Sequence, residues 1–131
     1  MGNSGGGTTT LFAACLEPRI KYAMPSCFFC TMEDSIAAMY HCACNFVPRL
    51  REFFDTGDMA GMVAPRPMVV VAGATDDIFP IRGVERAFAT AQTYYAAAGA
   101  PDNIALVVGG EGHRFYADLA WPVMNRYARG S

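Results

Sequence analysis

The sequence predicts a single parallel α/β domain, and three observations predict it. Two apolar runs, Met68–Ala72 and Ile104–Val108, each end in glycine; a helical repeat lies between them; and the whole chain has only 131 residues. Apolar residues at consecutive positions are the mark of strands covered on both faces, unlike the alternation of a half-wetted sheet. Parallel neighbours need a crossover, and a helix is the usual one. At this length one core is expected, so residues 1–131 are read as one domain.

Taken in order, the chain opens with glycines at 2 and 5–7, and a helix follows through Leu16 with Leu11, Phe12, Cys15 and Leu16 on one face. Pro18 closes it. Ile20–Cys27 is short, apolar and rich in β-compatible residues, and reads as the first buried strand. Phe28–Ala64 then interrupts the alternation as a long, cap-like excursion, with helical pieces expected near Asp34–Tyr40 and Val47–Phe54. Such excursions commonly overlie the carboxyl ends of strands, where ligands bind. Pro67–Gly73 is the second strand; Val84, Phe88, Ala91 and Tyr95 repeat at helical spacing up to Gly99; Ile104–Val108 is the third strand. Tyr116–Tyr127 is a closing amphipathic helix despite Pro122.

Composition excludes several functions. Ten basic against twelve acidic residues give a formal charge of −2, which supplies no cationic field for a phosphate backbone or an anionic membrane. The longest apolar runs fall well short of the ~20 residues of a membrane helix. Apolar residues make up 53% and charged residues 17%, against norms of about 45–50% and about 25%. That excess predicts a covered surface, most simply in a homodimer. Five cysteines, an odd number, follow an opening without the features of a secretion signal. Free thiols in the reducing cytoplasm are therefore expected.

Three segments could carry chemistry. Gly2-Asn3-Ser4-Gly5-Gly6 fits G-x-S-x-G, in which small residues let a serine adopt a strained turn at the start of a helix. The amide of Gly5 and the positive helix end would then face an oxyanion formed at Ser4. Standing alone, the pattern fits a flexible glycine-rich end equally well. Gly73-Ala74-Thr75-Asp76-Asp77 follows a buried strand, so a carboxylate there projects from the strand's end and can orient an imidazole. Asp77 is read as a turn or cap residue. Gly110-Glu111-Gly112-His113 follows the next strand, and glycines leave His113 free to swing toward the same edge as a general base. Ser4, Asp76 and His113 occur in the chain order that separates the α/β-hydrolase arrangement from other serine triads.

Cys27, Cys30, His41, Cys42 and Cys44 form a local group with one C-x-x-C spacing. Cys42-Ala43-Cys44 is tighter than paired metal ligands usually are, so buried free thiols and no metal or other cofactor are expected. His41 is taken as structural or pocket-lining.

At these residues the sequence resembles the α/β-hydrolase superfamily, and in particular serine esterases similar to acetyl xylan esterases and dienelactone hydrolases. The resemblance rests on Gly-Asn-Ser-Gly-Gly-Gly-Thr at 2–8, His-Cys-Ala-Cys-Asn-Phe-Val-Pro at 41–48, Ala-Pro-Arg-Pro-Met at 64–68, Ala-Gly-Ala-Thr-Asp-Asp-Ile-Phe-Pro at 72–80 and Gly-His-Arg-Phe-Tyr at 112–116. It implies Ser4 as nucleophile, Asp76 as acid, His113 as base and the Gly5 amide as one oxyanion donor. It also implies cleavage of short acyl esters, acetylated sugars among them. Complete members place several strands before the nucleophile, whereas three residues precede Ser4 here. The implied fold is thus a reduced α/β-hydrolase, minimal or truncated, with a short sheet and flanking helices. An outer edge of the strand at 20–27 left unpaired would recruit a second copy. The second reading is a catalytically silent scaffold or interaction module.

Overall fold

The computed structural model describes residues 1–129. Four strands, β1 (Gly2–Asn3), β2 (Pro25–Ser26), β3 (Met68–Gly73) and β4 (Ile104–Gly109), form one parallel sheet in the order β1-β2-β3-β4. Helices α1 (Gly5–Leu16), α2 (Thr56–Val63), α3 (Ile81–Ala97) and α4 (Ala117–Arg129) cover it. The expected α/β order is present.

β3 is the axis of the core because every one of its residues is buried. Its side chains alternate between the two faces, as the period of two requires. Met68, Val70 and Ala72 join Leu11, Ala14, Met59, Ala60, Val63, Val84, Ala87 and Tyr95 in the cluster beneath α1, α2 and α3. Val69 and Val71 join Met24, Val107, Tyr116, Ala120 and Met124 beneath α4. Each Val, Leu or Met side chain so withdrawn from water contributes about 1.5–3 kcal/mol. β4, in contrast, is only partly covered, with Val108 exposed. Expected as a fully buried strand, it lies at the sheet edge, where no neighbour covers its outer side.

The strand expected over Ile20–Cys27 runs beside β3 but is regular only at Pro25–Ser26. Ala23 N–H donates to Pro67 O at 3.0 Å and Cys27 N–H to Val71 O at 2.8 Å. Between them Pro25 has no N–H to give, and Cys27 turns into the left-handed region at φ 47°. Its outer edge is not free either: Gly2 and Asn3 pair with Pro25 and Ser26.

The excursion also departs from expectation. Residues 34–40 form turns rather than a helix, and Val47–Phe54 contains only a short 3-10 turn at Leu50–Glu52. The regular helix is α2, further along. Asp55 caps it, accepting from Thr56 N–H at 2.6 Å, while Asp58 accepts from Asp55 N–H at 2.7 Å. This reciprocal capping box satisfies amides that would otherwise be orphaned.

Two polar hubs tie these pieces to one another. The Arg66 guanidinium donates to the carbonyls of Ala14, Glu17, Ile20, Met62 and Val63, closing the ends of α1 and α2 together. Asp34, a buried residue, accepts from the Thr31 hydroxyl at 2.7 Å, from Arg82 at 3.1 Å and from Arg86 at 2.8 Å. The Thr31 hydroxyl first, and then the Arg82 and Arg86 charges, hold its carboxyl below the usual carboxylate range against the cost of desolvation. Among the described residues, no helix is long and apolar enough to cross a membrane.

Candidate active site

In a parallel sheet all strands end at the same edge, and each strand here is followed by a residue that can do chemistry. Ser4 follows β1, Cys27 follows β2, Asp76 lies three residues after β3, and His113 lies four after β4. Residues that are scattered over the whole chain are thereby gathered at one edge.

Ser4 occupies the strand-to-helix turn with φ 55° and ψ −119°. A non-glycine residue at positive φ is strained, and the surrounding hydrogen bonds must hold it there. Ser4 N–H donates to Ser26 O at 2.9 Å on β2, and Ser4 O accepts from Thr8 N–H at 3.0 Å as α1 begins. Gly2 makes the turn sterically possible, since a Cβ there would collide with the backbone of Gly6. Gly5 is exposed at the first position of α1, where its amide has no intrahelical acceptor and the helix dipole is positive.

Asp76 and His113 meet directly. His113 Nδ1 and Asp76 Oδ2 are 2.8 Å apart, and the carboxylate is almost wholly buried while the imidazole retains a 24% exposed side chain. The other carboxylate oxygen accepts from Ile78 N–H at 2.9 Å and from Phe79 N–H at 3.1 Å. With both oxygens occupied the carboxylate is fixed in direction, and it selects the tautomer with the proton on Nδ1 and the lone pair on Nε2. Asp77 points to solvent instead. No hydrogen bond joins the Ser4 hydroxyl to the imidazole among the described residues; the two are related by their shared strand edge.

The loop that carries His113 is stitched from several sides. Ala74 N–H donates to Gly109 O at 2.8 Å and Thr75 N–H to Glu111 O at 3.1 Å, tying the Asp76 loop to the His113 loop. A Cβ at Gly73 would strike Gly112 O, so only glycine permits the two loops to touch there. The Tyr116 hydroxyl accepts from Glu111 N–H at 3.1 Å and donates to Gly112 O at 2.9 Å. Phe79 stacks on the imidazole with ring centroids 5.8 Å apart, and on its other contacts meets Phe28 and His41.

Sequence reasoning did not assign Cys27, Phe79 or Tyr116 to the site. Phe79 and Tyr116 lie in the same short motifs as Asp76 and His113, so proximity in sequence was a usable signal. Cys27 offered none. The thiols of Cys27, Cys30, Cys42 and Cys44, neighbours of His41 in sequence and expected to be buried and free rather than metal ligands, are divided between the interior and the surface. Cys27 and Cys30 are buried, whereas Cys42 and Cys44, also expected to be buried, are exposed because the segment carrying them runs over the surface. All five thiols are free. Burial pushes the Cys30 thiol up to about 12 and that of Cys15 to about 11. His41 Nε2 is buried without a hydrogen-bond partner among the described residues.

Fold and site together can be compared with known proteins. No family model matches the chain. A glucuronoyl esterase of carbohydrate esterase family 15 from Caldicellulosiruptor kristjansonii superposes with a TM-score of 0.80 at 20% identity, over 99% of this chain and 42% of its own length. The fold is that of an α/β-hydrolase. A protein named as an acetyl xylan esterase from Bacteroides fragilis matches with a TM-score of 0.62 at 20% identity, over 92% of this chain and 30% of its own. In sequence, YtaP of Bacillus subtilis (strain 168), named as a hydrolase, is 28% identical over 116 residues, which span 86% of this chain and 39% of that protein. The chain thus spans less than half the length of these proteins.

Proposed function

We propose that this chain carries the nucleophile, base and acid of a serine hydrolase that cleaves carboxylic esters, short acyl esters included. The observation that carries the reading is the buried Asp76 carboxylate, held by two backbone amides and bonded to His113 Nδ1 at 2.8 Å. Ester-cleaving proteins among the structural neighbours support the same reading.

In this mechanism His113 Nε2 takes the Ser4 hydroxyl proton as Oγ attacks the ester carbonyl, and Asp76 stabilises the imidazolium that results. The Gly5 amide, at the positive end of α1, donates to the oxyanion. Collapse of the tetrahedral intermediate expels the alcohol, which leaves with the imidazolium proton, and water activated by the same imidazole releases the acid. No metal or organic cofactor enters these steps.

Ser4→Ala tests the assignment most directly. Hydrolysis of a short-chain aryl ester is expected to fall by about 10⁴-fold or more, with loss of fluorophosphonate labelling and an unchanged circular dichroism spectrum. Retained turnover rejects Ser4 as the nucleophile, and a parent chain that neither hydrolyses the ester nor takes the probe favours the silent scaffold instead.

The proposal extends to assembly. Among the described residues no strand pairs with the outer edge of β1, and exposed Met1 and Trp121 line an apolar cleft with Tyr22 and Met24. A two-fold dimer would cover this face. Light scattering at micromolar concentration is expected to return twice the chain mass, and a monomeric mass rejects the dimer.

A further inference from the structure

Cys27 is the buried nucleophilic group that the mechanism leaves idle, and its position is unusual. Its backbone is left-handed, φ 47°, and its side chain is almost wholly buried. The thiol donates to Arg114 O at 3.2 Å, one residue past the base. Cys27 Sγ, a carboxylate oxygen of Asp76 and a ring nitrogen of His113 all lie within 4.8 Å of one another. Among the described residues this is the one group of three such donors.

We propose that Cys27, Asp76 and His113 form a site for a thiophilic divalent cation such as Zn²⁺ or Cd²⁺, and that occupation switches hydrolysis off. One sulfur, one nitrogen and one oxygen are a donor set that zinc accepts, with bonds of about 2.3, 2.0 and 2.0 Å and a fourth position left for water. Those bond lengths place tetrahedral ligand atoms roughly 3.3–3.6 Å apart, so binding requires the Nδ1–Oδ2 pair to open from 2.8 Å and the Cys27 sulfur, within 4.8 Å of both partners, to take the third corner. Charge also matches, because a thiolate, a carboxylate and a neutral imidazole together balance two positive charges. On binding, the sulfur gives its proton to solvent and exchanges its bond to Arg114 O for the metal. The imidazole is the partly exposed member, so a cation arriving from solvent meets it first.

Inhibition follows from the chemistry of the ring. A cation on Nδ1 forces the ring proton onto Nε2, and a cation on Nε2 takes the lone pair itself. In either case nothing remains to accept the Ser4 proton. This second clause rests on the proposed hydrolase reading, whereas binding itself does not, and the experiment separates them.

Cys42 and Cys44 are exposed thiols that would also attract soft cations, so the background protein carries Cys42→Ser and Cys44→Ser. Cd²⁺ is titrated into it while thiolate-to-metal absorbance in the ultraviolet and ester hydrolysis are followed in parallel. One Cd²⁺ per chain is expected, with hydrolysis reduced at least tenfold at saturation and recovered on adding EDTA. Adding Cys27→Ala, or Cys27→Ser should the alanine variant fold poorly, is expected to abolish the absorbance band and to raise the half-inhibiting concentration at least tenfold. An absent band in the background protein, or a band that persists in both Cys27 variants, overturns the site. A Cys27-dependent band in a protein that hydrolyses no ester upholds the site and rejects the hydrolase; a Cys27-dependent band with undiminished hydrolysis rejects the switch.

Discussion

The paired loops after β3 and β4 contrast with the segment from 38 to 54 in how each is held. In the loops nearly every polar group is used: two amides on one Asp76 oxygen, an imidazole on the other, a tyrosine hydroxyl bridging Glu111 and Gly112, and direct loop-to-loop hydrogen bonds. The segment 38–54 has only two short 3-10 turns and presents Tyr40, 96% exposed, and Phe53, 67% exposed, to solvent. Orientation of an acid–base pair demands fixed directions, which backbone donors supply; a covering segment needs only shape and apolar surface. Chemistry and coverage are therefore built from different materials in the same small domain.

Breaking the loops should cost far more than breaking the cover, and the largest effect belongs to Asp76. Asp76→Asn leaves the volume unchanged but allows the wrong imidazole tautomer, and kcat/KM for an aryl ester should fall by about 10⁴-fold. Asp77→Asn, at an exposed residue outside the pair, should change it by less than about threefold. The reverse ranking in steady-state assays would reassign the acid.

Next comes the tyrosine that stitches the His113 loop. Tyr116→Phe removes a donor to Gly112 O and an acceptor for Glu111 N–H, so urea unfolding should show a loss of about 1–3 kcal/mol. On the proposed hydrolase reading the fall in kcat should exceed the change in KM, because the loop would orient the base rather than the substrate.

A smaller, pH-dependent effect marks where the excursion is pinned to α3. The carboxyl of Asp34 titrates lower in the folded chain than its unfolded value of about 3.9. Its contribution is therefore complete above that unfolded value and is lost as pH falls through the folded one. Asp34→Asn should be less stable than the parent at pH 7, with the gap in urea midpoint narrowing below about pH 4. A constant gap down to pH 3 would show that the Thr31 hydroxyl and the Arg82 and Arg86 charges together do not favour the ionised carboxyl.

The smallest effect is expected in the cover itself. Phe53→Ser should leave stability within about 0.5 kcal/mol of the parent, measured by the same urea titration. A larger loss would mean that this exposed ring is packed in solution against something, and would erase the contrast between the two regions.

Much of this architecture was legible in local sequence. Runs of branched aliphatics marked β3 and β4, glycine stops marked their ends, and Val84, Ala91 and Tyr95 marked the buried face of α3. α2 was missed although its capping residues, Asp55 and Asp58, are a readable signal; exposed phenylalanines just before it drew the expected helix too early. β2 could not be read correctly from local pattern, because Pro25 and the left-handed Cys27 interrupt it and pairing with β1 and β3 alone makes it a strand.

By itself the sequence determined the α/β class, the order of α1, β3, α3, β4 and α4, and which serine, acid and histidine stand just beyond strand ends. Those properties depend on side-chain period and on glycine and proline, which act over a few residues. Only the tertiary structure decided that Asp76 and His113 meet at 2.8 Å, that Gly2 and Asn3 close the outer side of β2, and that Cys27 Sγ comes within 4.8 Å of both. These outcomes depend on how twisted strands stack in register and how loops cross above them, and no local pattern encodes distances between residues tens of positions apart.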